Sequence, residues 1–144
     1  MPDSTTRILR ASLKARLYRD IEIDSGRSLY HLAAAIVHAF DFDFDHAFGF
    51  YSKLARQYFD SPVKYELFAD MEDVSSDAGS VKRTKVARAF PAVGTKMLFL
   101  FDYGDEWRFQ LELIALGKRV PKSRYPKVLA SVGKAPPQYP DSDE

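Results

Sequence analysis

The side chains best suited to chemistry in this sequence are His46, Asp102 and Asp105, with Asp43 and Asp45 beside the first of them. Two carboxylates and an imidazole can hold a divalent ion and activate a bound water, and an Asp with a His can act as base and acid without one. Residues 46 and 102 lie far apart in the chain, so any such site needs a fold that joins them. Cβ atoms more than ~12 Å apart exclude a shared ion, because ligand distances are only ~2.0–2.6 Å. Asp41, Asp43 and Asp45 also have the spacing that opens an EF-hand calcium loop, but His46 stands where that loop needs Gly and Ser52 where it needs a bidentate Glu. An extended segment with Phe40, Phe42 and Phe44 inward and the aspartates in water explains the same residues. No metal and no cofactor is assigned from these motifs.

The element that must position Asp102 and Asp105 is the stretch Met97 to Ile114, which reads as a β-hairpin and contains Trp107, the one Trp of the chain. With Gly104 and Asp105 at the centre of a type II′ turn, Tyr103 faces Glu106, Asp102 faces Trp107, Phe101 faces Arg108 and Leu100 faces Phe109. Alternation then gathers Leu98, Leu100, Asp102, Trp107, Phe109, Leu111 and Leu113 on one face. A carboxylate there needs partners, either turn amides or the Trp107 indole N–H, so Asp102 has a structural role to set beside a catalytic one. Phe99 and Phe101 point the other way, which predicts that the first strand is covered on both sides.

Composition bounds the class. A chain of 144 residues, 46% hydrophobic and 28% charged, suits one soluble domain with a substantial core. We expect that domain over residues 1–133 and a flexible acidic, Pro-rich tail over 134–144. Eleven Phe and eight Tyr point to an aromatic-rich core or groove. The absence of Cys removes disulfides, thiol nucleophiles and thiolate zinc sites, and it fits a reducing compartment. With no signal-peptide core at the start and no apolar run of bilayer length, a cytoplasmic location without a membrane partner is expected. Net charge is +1, yet residues 118–134 hold Lys118, Arg119, Lys122, Arg124, Lys127 and Lys134 without an acid. Residues 60–77 are correspondingly acidic, so the fold has a basic and an acidic end.

The remaining elements follow from pattern. Residues 7–24 read as an opening strand pair turning near Lys14 to Arg19. Ser28 is an N-cap for a helix over 28–40, whose stripe is Leu29, Leu32, Ala33, Ile36, Val37 and Phe40, with His31 and His38 on its wet side. Phe48 to Tyr51 and Lys64 to Phe68 read as strands, Ser52 to Phe59 as a short helix, and 69–82 as an exposed loop. Residues 82–90 suit a short strand or helical turn ending before Pro91. The fold class is therefore α+β, a mainly antiparallel sheet of about five strands with one principal helix packed on it.

With these pieces in place, the sequence resembles the plasmid pRiA4b ORF-3-like family, whose members are often labelled insertion-element passenger proteins of a TnpR type. The resemblance runs from about Ile8 to Pro137. It is carried by Ser28-Leu29 with Leu32, Ile36 and Phe40, by Phe42 with His46 and Phe50, by Phe101-Asp102-Tyr103-Gly104-Asp105-Glu106-Trp107, and by Tyr125-Pro126 leading to Pro136-Pro137. Ala33, Phe109 and Val128 stand where relatives often carry His or Cys, so a metal site built from those positions is not implied here. The resemblance implies a compact α+β domain and no particular reaction. A resolvase activity lacks its nucleophile, since nothing near Tyr18-Arg19-Asp20 supplies the required Ser.

Three functions follow, in this order. The first is a binding module for a protein or peptide, using an aromatic groove beside the 97–114 hairpin with Trp107, Tyr103, Phe42, Phe50 and Arg108. The second is a nucleic-acid-binding accessory protein using Lys118, Arg119, Lys122, Arg124 and Lys127, which would suit a mobile genetic element. The third is a metal-assisted hydrolase or nuclease built on Asp102, Asp105 and His46.

Overall fold

Alternating apolar residues in the first part of the chain form a long hairpin, β1 (Thr5–Lys14) and β2 (Leu17–Asp24), with Leu9, Ala11, Ile21 and Ile23 buried. The computed structural model describes residues 5–55, 57–71 and 78–139. Ser28 then starts α1 (Leu29–Ala39), its hydroxyl accepting from the His31 amide at 3.3 Å, a cap worth about 1 kcal/mol. The expected stripe, Leu29, Leu32, Ala33, Ile36, Val37 and Phe40, is fully buried against the sheet, and His31 and His38 are exposed. At the helix end Asp41 takes the left-handed conformation, φ 60°, while the Phe42 amide donates to Val37 O.

The remaining strands are β3 (Phe48–Tyr51), β4 (Lys64–Glu66), β5 (Gly79–Ser80), β6 (Lys96–Phe101), β7 (Trp107–Lys118) and β8 (Lys127–Val132), with a one-turn helix α2 (Val86–Ala89). They join β1 and β2 in a single eight-stranded sheet of order β5-β4-β3-β6-β7-β1-β2-β8. Every neighbouring pair is antiparallel except β4 and β5, which run parallel. The α+β class and the principal helix are as expected. The sheet is larger than the expected five strands and mixed. β4 and β5 are too short to show alternation, and β8 carries a bulge at Leu129 that breaks the period. Among the described residues of 52–59 there is no α-helix; a 3₁₀ turn covers Tyr58–Asp60, and another covers Leu67–Asp70.

The central hairpin is real, but its register differs by one residue from the expected one. Phe101 pairs with Trp107, Leu100 with Arg108 and Phe99 with Phe109, so residues 102–106 form the connection. Gly104 has no positive φ; Asp102 and Glu106 do, at 66° and 53°. A shift of one residue exchanges the faces of a strand. Met97, Phe99 and Phe101 therefore join Phe109, Leu111 and Leu113 in the main core, while Leu98 and Leu100 pass to the far face. There they form a small second core with Tyr51, covered by Tyr58 and Tyr103, so β6 is buried on both sides as expected. No helix among the described residues is long and apolar enough to cross a membrane.

Candidate functional site

Three segments converge at the hairpin end of the sheet: the 41–47 loop after α1, the 102–106 connection, and residues 138–139. The loop follows its Phe–Asp alternation without forming a strand. Phe40 and Phe42 are buried, Phe44 is half-buried, and Asp41, Asp43 and Asp45 face water. The loop is tied to the hairpin by the Asp102 amide, which donates to Ala47 O at 2.9 Å. It is tied to the C-terminal segment through Gln138. The Gln138 Oε1 accepts from the Asp43 amide at 2.6 Å, and its Nε2 donates to Asp43 O and to Asp45 Oδ1.

Asp102 is 6% exposed, and its two oxygens do different things. Oδ1 accepts from the Gly104 and Asp105 amides at 3.1 and 3.3 Å, closing the connection in the manner of an Asx turn. Oδ2 lies 3.4 Å from His46 Nε2. The same His46 nitrogen lies 2.6 Å from the Tyr139 hydroxyl and 3.6 Å from Asp45 Oδ1. Tyr139 donates to Asp45 Oδ2 at 2.8 Å. Lost hydration, that hydrogen bond and the charges of Asp45, Asp102 and Asp105 push the Tyr139 phenol up to about 12. The turn amides satisfy Asp102 as its structural role requires. The Trp107 indole does not take part: its Nε1 is buried with no hydrogen-bond partner among the described residues.

The fold thus brings His46 and Asp102 together, with Asp45 as the third member. Asp105 contributes its amide and its charge while its side chain stays exposed, and Asp43 contributes main-chain groups. Among the described residues no group of three or more His, Asp and Glu is arranged to hold a metal ion.

Beside this cluster opens a cleft of about 320 Å³ lined by Tyr30, Phe44, Ala47, Phe48, Leu67 and Met71, with Asp45 and His46 on its rim. Tyr30 packs edge-on against Phe44 with centroids 5.3 Å apart, and Phe44 tilts against Phe48 at the same separation. The aromatic residues named from the sequence sit elsewhere. Phe42 and Phe50, 3% and 0% exposed, belong to the core and are not among the residues lining this cleft. Trp107 packs on Phe42 at 4.8 Å. Tyr103 stacks on Phe68 and shares a 2.7 Å hydrogen bond with Tyr51 on the far face, where the Arg108 guanidinium lies 5.3 Å over Tyr58. In the basic segment, Arg119 is paired with Asp24 and lies over Tyr125, and Lys127 donates to Ser123; Lys118, Lys122 and Arg124 are exposed.

Fold and site together define a small α+β domain with one principal helix on an eight-stranded sheet and a polar cluster clamped at its central hairpin. The chain belongs to the plasmid pRiA4b ORF-3-like protein family, whose sequence profile matches residues 6–140. A solved structure of a protein of unknown function from Methanosarcina mazei Go1 is similar, with a TM-score of 0.71 and 20% identity over 88% of this chain and 69% of that one. At that identity the likeness shows the fold alone. No curated protein gives a significant match.

Proposed function

We propose that this protein is a non-catalytic recognition module that seats an apolar side chain of a protein or peptide partner in the cleft beside the hairpin. The observation that carries this is the cleft itself: Tyr30, Phe44, Leu67 and Met71, over the buried Phe48, line an open depression of about 320 Å³, with a carboxylate and an imidazole among the lining to orient a polar group of the partner. The walls come from α1, the 41–47 loop, β3 and the 67–71 segment, so the pocket exists before the partner arrives. That preorganisation reduces the cost of binding.

The His46–Asp102 contact supports an acid–base reading less well. A general base needs a nitrogen within reach of the proton it removes, and the nitrogen that faces Asp102 already lies 2.6 Å from Tyr139. A clamp that aligns the loop accounts for the same contacts. The family description is the sole support for a link to mobile elements.

The test is a selection from a random peptide display library on wild-type protein, followed by affinity measurement on Met71→Arg. Met71 is 45% exposed, so the substitution should place a cation in the cleft without disturbing the core. Recovered peptides should share an apolar anchor and bind the variant at least about tenfold more weakly, a loss of ~1.4 kcal/mol. Peptides without a common apolar residue, or equal binding to both proteins, would overturn the proposal.

A further inference from the structure

We propose that the outer edge of β8 is a second docking surface, which takes an extended acidic segment of a partner protein as an added strand. It lies four strands from β6, about 19 Å across the sheet at the usual strand spacing. The two surfaces sit at opposite ends of α1, with Tyr30 in the first cleft and His38 and Ala39 beside the second.

Three observations converge on this edge. First, β8 closes the strand order, so among the described residues no strand pairs with its outer side. Such an edge presents N–H and C=O groups ready for main-chain pairing. The strand is firmly held for that purpose. Arg19, 6% exposed, donates from Nη1 to Val132 O at 3.0 Å and from Nε to Ala39 O at 3.1 Å, joining β8 to the end of α1.

Second, apolar groups wait on the strand and beneath it. Val128, Leu129 and Val132 are 47%, 49% and 36% exposed. A cleft of about 260 Å³ lies between α1 and the start of β8, lined by Ile21, Ala35, Ala39, Pro126 and Val128 with His38 and Lys127. Side chains of an added strand alternate, so those on the helix side would meet this cleft. In strand addition, such pockets confer specificity and main-chain bonds supply affinity.

Third, the edge is framed by cations. Lys122 and Arg124 precede β8, Lys127 opens it and Lys134 follows it, with no acid between residues 118 and 134. Lys14 and Arg16, at the β1–β2 tip against which Gly133 packs, extend the charge. The nearby acids already have partners: Asp20 has Arg10, Asp24 has Arg119, and Glu22 has Thr6 and Lys127, the latter at 4.0 Å, so the cations around β8 left for a partner are Lys122, Arg124 and Lys134. Two copies of this edge would oppose like charges, which disfavours pairing with its own kind. The exposed Val and Leu side chains and the open main chain fit a polypeptide better than a nucleic acid, whose backbone asks for cations alone.

The experiment uses full-length protein and a fluorescein-labelled peptide of alternating Glu and Val. Its controls are the same peptide with a central Pro, a Lys–Val counterpart and short duplex and single-stranded DNA. The Glu–Val peptide should bind, slow amide exchange within Lys127–Val132, and weaken at least about tenfold on Lys122→Glu/Arg124→Glu. The Pro and Lys–Val peptides should not bind. Met71→Arg should bind the Glu–Val peptide as wild type does, which separates this surface from the hairpin cleft. Absence of Glu–Val binding at low salt, equal binding of the Pro peptide, or binding of DNA alone that is lost on the charge reversal would each overturn the proposal.

Discussion

Asp102 and His46 meet at the hairpin end of the sheet, with Oδ2 of the first 3.4 Å from Nε2 of the second, while the other Asp102 oxygen closes its own turn. One buried carboxylate thus shapes the connection and aligns the loop that forms the cleft rim. Asp102→Ala should cost about 2–3 kcal/mol, since it strands two turn amides in a partly buried site and leaves a left-handed backbone without a side chain suited to it. Asp102→Asn should cost less, because its amide oxygen can still accept from the Gly104 and Asp105 N–H groups. Urea unfolding of both variants checks this; equal losses would mean that the turn bonds do not matter.

The far face makes a steric prediction. A Cβ on Gly49 would stand 2.7 Å from the hydroxyls of both Tyr51 and Tyr103. Tyr51 is fully buried and donates to Glu66 at 2.5 Å, so neither ring can retreat freely. Gly49→Ala should destabilise by about 1–3 kcal/mol. Adding Tyr103→Phe should recover part of the loss, and thermal melting of the single and double variants measures it.

The same tyrosines govern the alkaline limit. Burial first, then the hydrogen bonds to Glu66 and Tyr103, raises the Tyr51 phenol; burial and the Glu66 charge raise Tyr103 against the opposing effect of its bond to Tyr51. Their folded values exceed the unfolded value of about 10, so the associated stability is fully present below pH ~10. Above that pH the unfolded chain releases protons that the folded chain keeps, and stability falls. The decline in unfolding free energy above pH ~10 should be shallower in Tyr51→Phe than in wild type. Parallel declines would contradict the assignment.

Gln138 makes a local prediction. It accepts from the Asp43 amide and donates back to the Asp43 carbonyl, so Gln138→Ala removes both ties. Exchange of the Asp43 amide should accelerate at least about tenfold while the amides of β1 and β2 keep their protection. Uniform acceleration across the sheet would instead make residue 138 part of the global fold.

The stripe of α1 and the inward residues of β7 were legible because each had one apolar and one polar face. The β6 register was not. Met97 to Phe101 is apolar at every position, so alternation cannot choose between Leu98–Leu100 and Phe99–Phe101 for the main core, and Gly104 suggested a tighter turn than the one formed. Asp102 carried the missing signal, since Asp tolerates the left-handed conformation and caps its own turn. His46 and Asp102 were both recognisable as chemistry-bearing residues, and their meeting depends on Phe48 pairing with Phe101, a long-range contact that no local pattern encodes. Tyr139 and Gln138 were missed because a Pro-rich tail reads as exposed chain, although a Tyr there is itself a hint of packing. Tyr30 reaches the cleft from α1 and Leu67 and Met71 from the 67–71 segment, and nothing in the sequence joins the two.

The most direct test of the recognition site is a two-dimensional NMR titration of isotope-labelled protein with a peptide recovered from the display selection. Shift changes should concentrate on Tyr30, Phe44, Asp45, His46, Ala47, Leu67 and Met71, with the strands β1 and β7 undisturbed. Changes confined to residues 118–134, or spread evenly over the sheet, would contradict a site at the hairpin cleft.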